Sequence, residues 1–167
     1  MGDISRVQRR TITDQEAENI TRVEELAYEL KVDTVMTRDP ITVTPETKME
    51  DTLDLFRRTR ISGAPVINKD ELIGIISIED LILSLQKNDL NSPVSKYMST
   101  NLLTINGSDP VIEALKLFAS SHFGRLPVLD SSKKLIGILT KGNITNGLLN
   151  ALQIDYHEEE VRRYRAS

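Results

Sequence analysis

The sequence predicts an α/β fold in which one β-α-β-β-α unit occurs twice, preceded by a single helix. Three observations predict it. First, the chain repeats itself about 62 residues apart: Val35-Met36-Thr37 returns as Tyr97-Met98-Ser99, and Ile41-Thr42-Val43 as Leu103-Thr104-Ile105. Leu53, Leu55 and Phe56 return as Leu115, Leu117 and Phe118, and Pro65-Val66-Ile67 as Pro127-Val128-Leu129. After one inserted residue, Leu72-Ile73-Gly74-Ile75-Ile76-Ser77 returns as Leu135-Ile136-Gly137-Ile138-Leu139-Thr140. Such a repeat sets the unit of folding. Second, each copy alternates short β-prone runs with stretches of helical periodicity. Third, 167 residues allow one domain, or one domain of two halves. A half of roughly 50 to 60 residues buries too little surface to stand comfortably alone, so a shared core is expected.

The elements follow in order. Residues 1–12 are polar, carry Arg6, Arg9 and Arg10, and read as a loose arm. From Asp14 the apolar Ala17, Ile20, Val23, Leu26, Ala27 and Leu30 recur at helical spacing and predict one buried stripe, with Thr13 or Asp14 as the cap. Ile41-Thr42-Val43 and Leu103-Thr104-Ile105 are β-prone. Thr47-Lys48-Met49-Glu50 has the form of a capping box, opening a helix whose inner face carries Met49, Leu53 and Phe56. The second copy opens this helix with Asp109-Pro110, a cap candidate followed by proline. Pro65-Val66-Ile67 predicts a strand, Asn68-Lys69-Asp70-Glu71 a polar turn, and Leu72–Ile76 a strand covered on both faces. A helix then begins near Ser77 and runs through Leu81, Ile82 and Leu85. Residues 1–31 thus form an arm and helix, 32–90 the first unit, 91–152 the second, and 153–167 a charged helix or linker. That charged ending resembles the opening of a connecting helix, as in a piece of something longer.

Composition excludes several classes. Hydrophobic residues make up 39% and charged ones 28%, ordinary for a globular protein. A net charge of −4 argues against nucleic acid as the main partner. No cysteine is present, which removes disulfides, thiolate metal sites and thiol catalysis and suits the cytoplasm. No apolar run approaches the roughly 20 residues of a membrane span.

Taken in order, the Val-Met or Tyr-Met pair, the apolar-Thr-apolar strand, the Leu-Phe helix, the Pro-Val strand and Leu-Ile-Gly-Ile-x-[Ser/Thr]-x-x-[Asp/Asn] give each unit a resemblance to a CBS domain. This is the small module named after cystathionine β-synthase, which occurs in tandem pairs. The resemblance spans about residues 32–152. It implies two units packed sheet to sheet about a pseudo-twofold axis, with two clefts between them. It implies an adenosine-containing ligand (AMP, ADP, ATP or S-adenosylmethionine) in one or both clefts, and homodimers formed through the apolar faces of the repeat helices. It further implies that each cleft mixes the copies. Asp80 would share one with Thr104 and the turn Gly124-Arg125-Leu126 that leads into Pro127. Thr140 and Asn143 would share the other with Thr42, Ser62, Gly63 and Ala64, which lead into Pro65. The family packs the turn before the Pro-Val strand close to the ligand's phosphates, which makes Arg125 the expected phosphate contact.

The residues themselves support such chemistry. Ser77-Ile78-Glu79-Asp80 stands where a strand feeds a helix, whose first N–H groups and positive end suit phosphate. Asp80, one turn in, could accept charge-assisted bonds from two ribose hydroxyls. The same pair also reads as a plain cap, which alone contributes about 1 kcal/mol. The second copy offers Thr140-Lys141-Gly142-Asn143. Asn143 bonds hydroxyls without the charge, Gly142 loosens the helix start, and Lys141, His122 and Arg125 concentrate positive charge nearby. Gly63 and Gly124 permit close approach of the backbone, and the Thr42 and Thr104 hydroxyls are candidate donors to the base.

Enzyme readings find little purchase. His122 and His157 stand far apart, no phosphate-binding or dinucleotide glycine motif occurs, and Glu158-Glu159-Glu160 reads as a solvated helix face. The expected function is a regulatory module sensing an adenosine-type ligand and signalling to an output domain or partner, with no catalytic cofactor and no metal. Two alternatives stand beside it: a structural dimerisation module with vestigial clefts, and the regulatory part of a transcription regulator whose Arg6, Arg9 and Arg10 touch DNA.

Overall fold

The computed structural model describes the backbone of residues 13–166, and the side chains of residues 13–153 other than Asn19. Arg6, Arg9, Arg10 and the side chains of His157 and Glu158 to Glu160 lie outside the described residues. The order of elements is α1 (Asp14–Glu29), α2 (Val32–Val35), β1 (Thr37–Arg38), α3 (Met49–Thr59), β2 (Gly63–Asn68), β3 (Glu71–Ser77), α4 (Ile78–Gln86), a 3-10 turn (Val94–Lys96), β4 (Ile105–Asn106), α5 (Val111–Ser120), β5 (Arg125–Leu129), β6 (Leu135–Thr140) and α6 (Lys141–Ala166).

Each repeat is centred on an antiparallel hairpin, β2–β3 and β5–β6. The first hairpin turns on Lys69 and Asp70, both left-handed at φ 48° and 66°, the pair of conformations that matches the twist of two-residue connections. The second hairpin holds the inserted residue. Its loop is closed by the Asp130 carboxylate, which accepts from the N–H groups of Ser132 (2.8 Å) and Lys134 (2.9 Å).

The segment leading into each repeat belongs to the other one. β1 pairs with β6, Thr37 opposite Ile138, while Ser99 pairs with Ile75 of β3. These registers are related by the repeat and express its pseudo-twofold symmetry. Packing follows the same exchange. Val32 and Met36 are buried with Ile105, Val111, Phe118, Leu126, Val128 and Leu139 of the second repeat. Val94, with Tyr97 and Met98 beside it, packs against Met49, Phe56, Val66, Ile76 and Leu81 of the first. The repeated Met and Gly meet at this seam. A Cβ on Gly74 would lie 2.7 Å from Met98 Sδ and 3.1 Å from the Ser99 carbonyl, and one on Gly137 would lie 2.8 Å from the Thr37 carbonyl and clash with Met36 Sδ.

Two helix starts differ from expectation for the same reason. Thr47 and Asp109 do not cap α3 and α5. Instead they close the preceding turns by accepting from the N–H groups of Thr44 and Asn106, both at 3.1 Å. The first N–H groups of α3 donate to carbonyls of the second lead-in, Met49 to Ser92 and Glu50 to Leu90, and Val111 of α5 donates to Leu30. A partner distant in sequence thus does the capping. At α1 the expected cap is present: Glu16 N–H donates to Thr13 Oγ1, and Thr13 N–H to Glu16 Oε2. Its stripe is shorter than expected. Leu26 and Ala27 are buried where α1 lies against α5 and α6, whereas Ile20 is 48% exposed.

The strand over Ile41–Val43 shrinks to one parallel bridge, Val43 to Val66, and its counterpart β4 starts only at Ile105. α6 continues without interruption from Lys141 through the charged segment to Ala166. Among the described residues no helix is long and apolar enough to cross a membrane.

Candidate functional site

Two cavities open between the repeats, at positions related by the pseudo-twofold. The first, of about 350 Å³, is lined by Ile75, Ser77, Glu79 and Asp80 at the β3–α4 junction, by Ser99, Asn101 and Leu102 of the second lead-in, and by His122, Phe123, Gly124 and Arg125. The second, of about 440 Å³, is lined by Ile138 and Thr140 at the β6–α6 junction, by Thr37, Asp39, Pro40 and Ile41, and by Arg60, Ile61, Ser62, Gly63, Pro65 and Arg125.

The two strand-to-helix junctions share one construction. Ser77 N–H and Oγ both donate to Asp80 Oδ2, at 2.8 and 2.9 Å, and no partner among the described residues takes Oδ1. Thr140 N–H and Oγ1 both donate to Asn143 Oδ1, at 2.9 and 3.0 Å, and Asn143 N–H returns to Thr140 Oγ1 at 3.2 Å. The Asn143 amide then donates to Thr37 Oγ1 at 3.3 Å, a residue of the second cavity's far wall. Each junction is therefore a helix cap built on the third helical residue; Asp80 itself lines the first cleft, while Asn143 bonds two residues that line the second. Capping and ligand contact are compatible at Asp80, because the cap uses a single carboxylate oxygen.

Charge differs between the clefts. Beside Ser77, its own backbone N–H, the Ser77 hydroxyl and the Arg125 guanidinium hold the Glu79 carboxyl below the usual range. Arg125 is half-buried. Its Nη1 donates to the Ser62 carbonyl (3.0 Å) and its Nη2 to Ser62 Oγ (2.7 Å). Burial draws its pKa down and Glu79 draws it back up. The guanidinium occupies the space a side chain at position 63 would need, so a residue with a Cβ there would displace it. The second cleft adds Arg60, in a left-handed conformation at φ 55°, and Asp39, at φ 46°.

The structure brings Ser77, Asp80, Gly124 and Arg125 together in one cleft, and Thr140, Ser62, Gly63 and Pro65 in the other. Several expected positions lie elsewhere. Thr42 is exposed and lines neither cleft. Thr104 faces a separate cavity of about 500 Å³ with Asp109, Glu113 and Lys133. Ala64, Leu126 and Pro127 are buried among the core residues of their strands. Lys141 is exposed, its Nζ 5.8 Å from the centre of the Phe118 ring, and lines neither cleft. Asn143 reaches its cleft through Thr37 and Thr140. Sequence reasoning placed the Thr strands in the clefts. The residues that actually enter are the turns before them, Asp39-Pro40-Ile41 and Asn101-Leu102, because each lead-in crosses to the opposite sheet before it turns back. The Asp39-Pro40 dipeptide, which favours a turn, was the signal available in the first copy, and Asn101-Leu102 offered none.

A protein-family model described as CBS domain matches residues 32–87 and again 94–150. Among curated proteins, the uncharacterized protein MJ1232 of Methanocaldococcus jannaschii is 29% identical over 128 residues, covering 77% of this chain and 43% of that protein. Inosine-5'-monophosphate dehydrogenase of Aquifex aeolicus is 30% identical over 141 residues, covering 83% of this chain but only 27% of the enzyme. The chain thus spans less than half the length of these relatives. Among solved structures, the complex of CBSX2 with AMP is 34% identical and covers 75% of this chain and 98% of that one, at a TM-score of 0.64. The CBS domain of a bacterial CNNM/CorC-family Mg2+ transporter reaches a TM-score of 0.71 at 24% identity, which speaks for the fold. Repeated motifs, exchanged lead-ins and paired clefts agree with these matches, and the chain belongs to the CBS-domain family as a tandem pair.

Proposed function

We propose that this chain is a regulatory module that binds an adenosine-containing ligand in the clefts between its repeats, with AMP, ADP, ATP and S-adenosylmethionine as the candidate class. The observation that carries this reading is the first cleft, where a free oxygen of the Asp80 carboxylate and the Arg125 guanidinium line one cavity between apolar walls. Asp80 Oδ1 accepts from the ribose hydroxyls, Arg125 and the N-terminus of α4 meet phosphate, and Ile75, Leu102 and Phe123 flank the base. The CBSX2–AMP complex, 34% identical, supports the same class. The module acts by differential affinity: the ligand stabilises one arrangement of repeats, or of two copies, over another. Exposed Ile82, Leu83 and Leu85 on α4 favour a homodimer through that face.

Calorimetric titration with AMP, ATP and S-adenosylmethionine tests the proposal. Wild type is expected to bind at least one of them, and Asp80→Ala to bind at least about tenfold more weakly, consistent with loss of charge-assisted bonds. Equal binding by Asp80→Ala would remove the ribose assignment. If no ligand raises the melting temperature at high excess, the clefts are vestigial and the structural dimerisation reading takes over, since a true site at 100-fold saturation adds about 2.7 kcal/mol.

A further inference from the structure

We propose that Arg125 is a single cation shared by both clefts, so that a phosphate-bearing ligand in one weakens phosphate binding in the other. This deepens the reading of the clefts as nucleotide sites and rests on it. Arg125 is the residue that lines both cavities. On one side its charge faces Glu79 at the first cleft, and on the other its two terminal nitrogens hold the carbonyl and hydroxyl of Ser62, a wall of the second. The pseudo-twofold explains how one side chain reaches both. Position 125 in the second repeat corresponds to position 63 in the first, and position 63 is glycine. The guanidinium crosses the axis into the space its missing counterpart leaves. Arginine at both equivalent positions would have given each cleft its own guanidinium from this turn, whereas here one stands between them.

The remaining charge makes the coupling unfavourable. The first cleft holds Glu79, Asp80 and His122, and the second holds Asp39 and Arg60. A phosphate in the first cleft draws the guanidinium away from Ser62 and neutralises it, leaving Arg60 as the second cleft's cation. A phosphate in the second cleft fixes the guanidinium beside Ser62, leaving the first with carboxylates and a histidine. Linkage requires the effect to be equal in both directions.

Two variants isolate the clefts. Gly124→Trp fills the first, since a Cβ at Gly124 meets nothing within 4 Å and its backbone is not left-handed. Ile41→Trp fills the second from a wall position that is 39% exposed. AMP affinity is measured by calorimetry for both variants and for wild type, with melting curves to confirm folding. The product of the two wild-type dissociation constants is expected to exceed the product of the two single-cleft constants by about tenfold, within the usual range of coupling between sites. With Arg125→Gln as background, or with adenosine in place of AMP, the ratio is expected to fall to one. An AMP ratio of one or less overturns the shared cation while leaving two nucleotide sites. A ratio equally large with adenosine or in the Arg125→Gln background also overturns it, because the coupling then needs neither phosphate nor cation. Absence of AMP binding to wild type overturns the nucleotide reading and this proposal with it.

Discussion

The two clefts share a frame and differ in chemistry. Both begin at a strand-to-helix junction closed by a hydroxyl residue and a side chain three positions on, and both are walled by a crossing lead-in and by the turn before a Pro-Val strand. Yet one has Asp80 where the other has Asn143, His122 where the other has Arg60, Gly124 where the other has Ser62, and Arg125 where the other has Gly63. Capping and packing accept either member of each pair, because Asp and Asn offer the same oxygen to a helix start. What the pairs do not share is charge. The difference teaches that fold and site answer to separate constraints here, with the core symmetric and the clefts free to specialise.

The strongest test of that symmetry lies in the core. Leu81 on α4 and Ile144 on α6 are equivalent, at 0% and 2% exposure, in the two core clusters. Leu81→Ala and Ile144→Ala are each expected to cost about 2–5 kcal/mol by urea denaturation, with similar values. Because each lead-in lies in the opposite core, both variants should still unfold in one cooperative transition. Two separated transitions would show that the repeats are independent units and break the comparison.

Next in size is the seam. Alanine at Gly137 forces a contact on the Thr37 carbonyl at 2.8 Å, whereas at Gly74 the carbonyl of Ser99 stands at 3.1 Å. Both substitutions overpack, at a cost of about 1–3 kcal/mol, and Gly137→Ala should be the worse. The reverse order, measured by the same denaturation, would show that the methionines rather than the carbonyls decide.

These glycines also mark how far the sequence could be read. The Met of each lead-in and the Gly of each Leu-Ile-Gly run stood out as repeated, and the hairpins, the α4 start and the junction pairs were legible from local turn, cap and alternation signals. The exchange of lead-ins was not, because nothing local distinguishes a strand that pairs within its own repeat from one that pairs across. That one non-local fact moved Thr42 and Thr104 out of the clefts, brought Asp39–Ile41 and Asn101–Leu102 in, and gave the capping of α3 and α5 to distant carbonyls. Arg125 was read as a phosphate contact for one cleft. Its place beside Ser62 and Gly63 depends on the pseudo-twofold and bridges a sequence separation of 63 positions to Ser62, beyond the reach of spacing arguments.

The clefts can be compared directly by exchanging their distinguishing side chains. Asp80→Asn keeps the acceptor for Ser77 and should leave stability within about 0.5 kcal/mol. It converts the proposed charged ribose anchor to a neutral one, so AMP affinity at the first cleft should fall about fivefold, roughly 1 kcal/mol for a lost charge-assisted contribution. Asn143→Asp should strengthen the second cleft in the same measure, read in the Gly124→Trp background. An unchanged pair of affinities would mean that cleft identity is set elsewhere, by Arg60 and His122.

The smallest expected effect concerns the two lead-ins. The second is tied down by a polar cluster: Asp89 accepts from Ser92 Oγ and Tyr97 Oη, both at 2.7 Å, and from Lys96 Nζ. In the first lead-in the equivalent positions are Ala27, Leu30, Thr34 and Val35. Lys96, Ser92 and Tyr97 hold the Asp89 carboxyl well below the ordinary carboxylate range, and Asp89 pushes the Tyr97 hydroxyl upward. A carboxyl with a depressed pKa in the folded state contributes stability above its unfolded value, near 4, and loses it as pH falls further. A phenol with a raised pKa contributes below its unfolded value, near 10, and loses it as pH rises past that. The cluster should therefore act in full between about pH 5 and 9 and fade on both sides. Asp89→Asn should lower the urea midpoint by a constant small amount across that window, and the gap to wild type should close as pH falls below about 4. An equal gap at pH 3 and pH 7 would mean that the carboxylate's charge contributes nothing to holding the second lead-in.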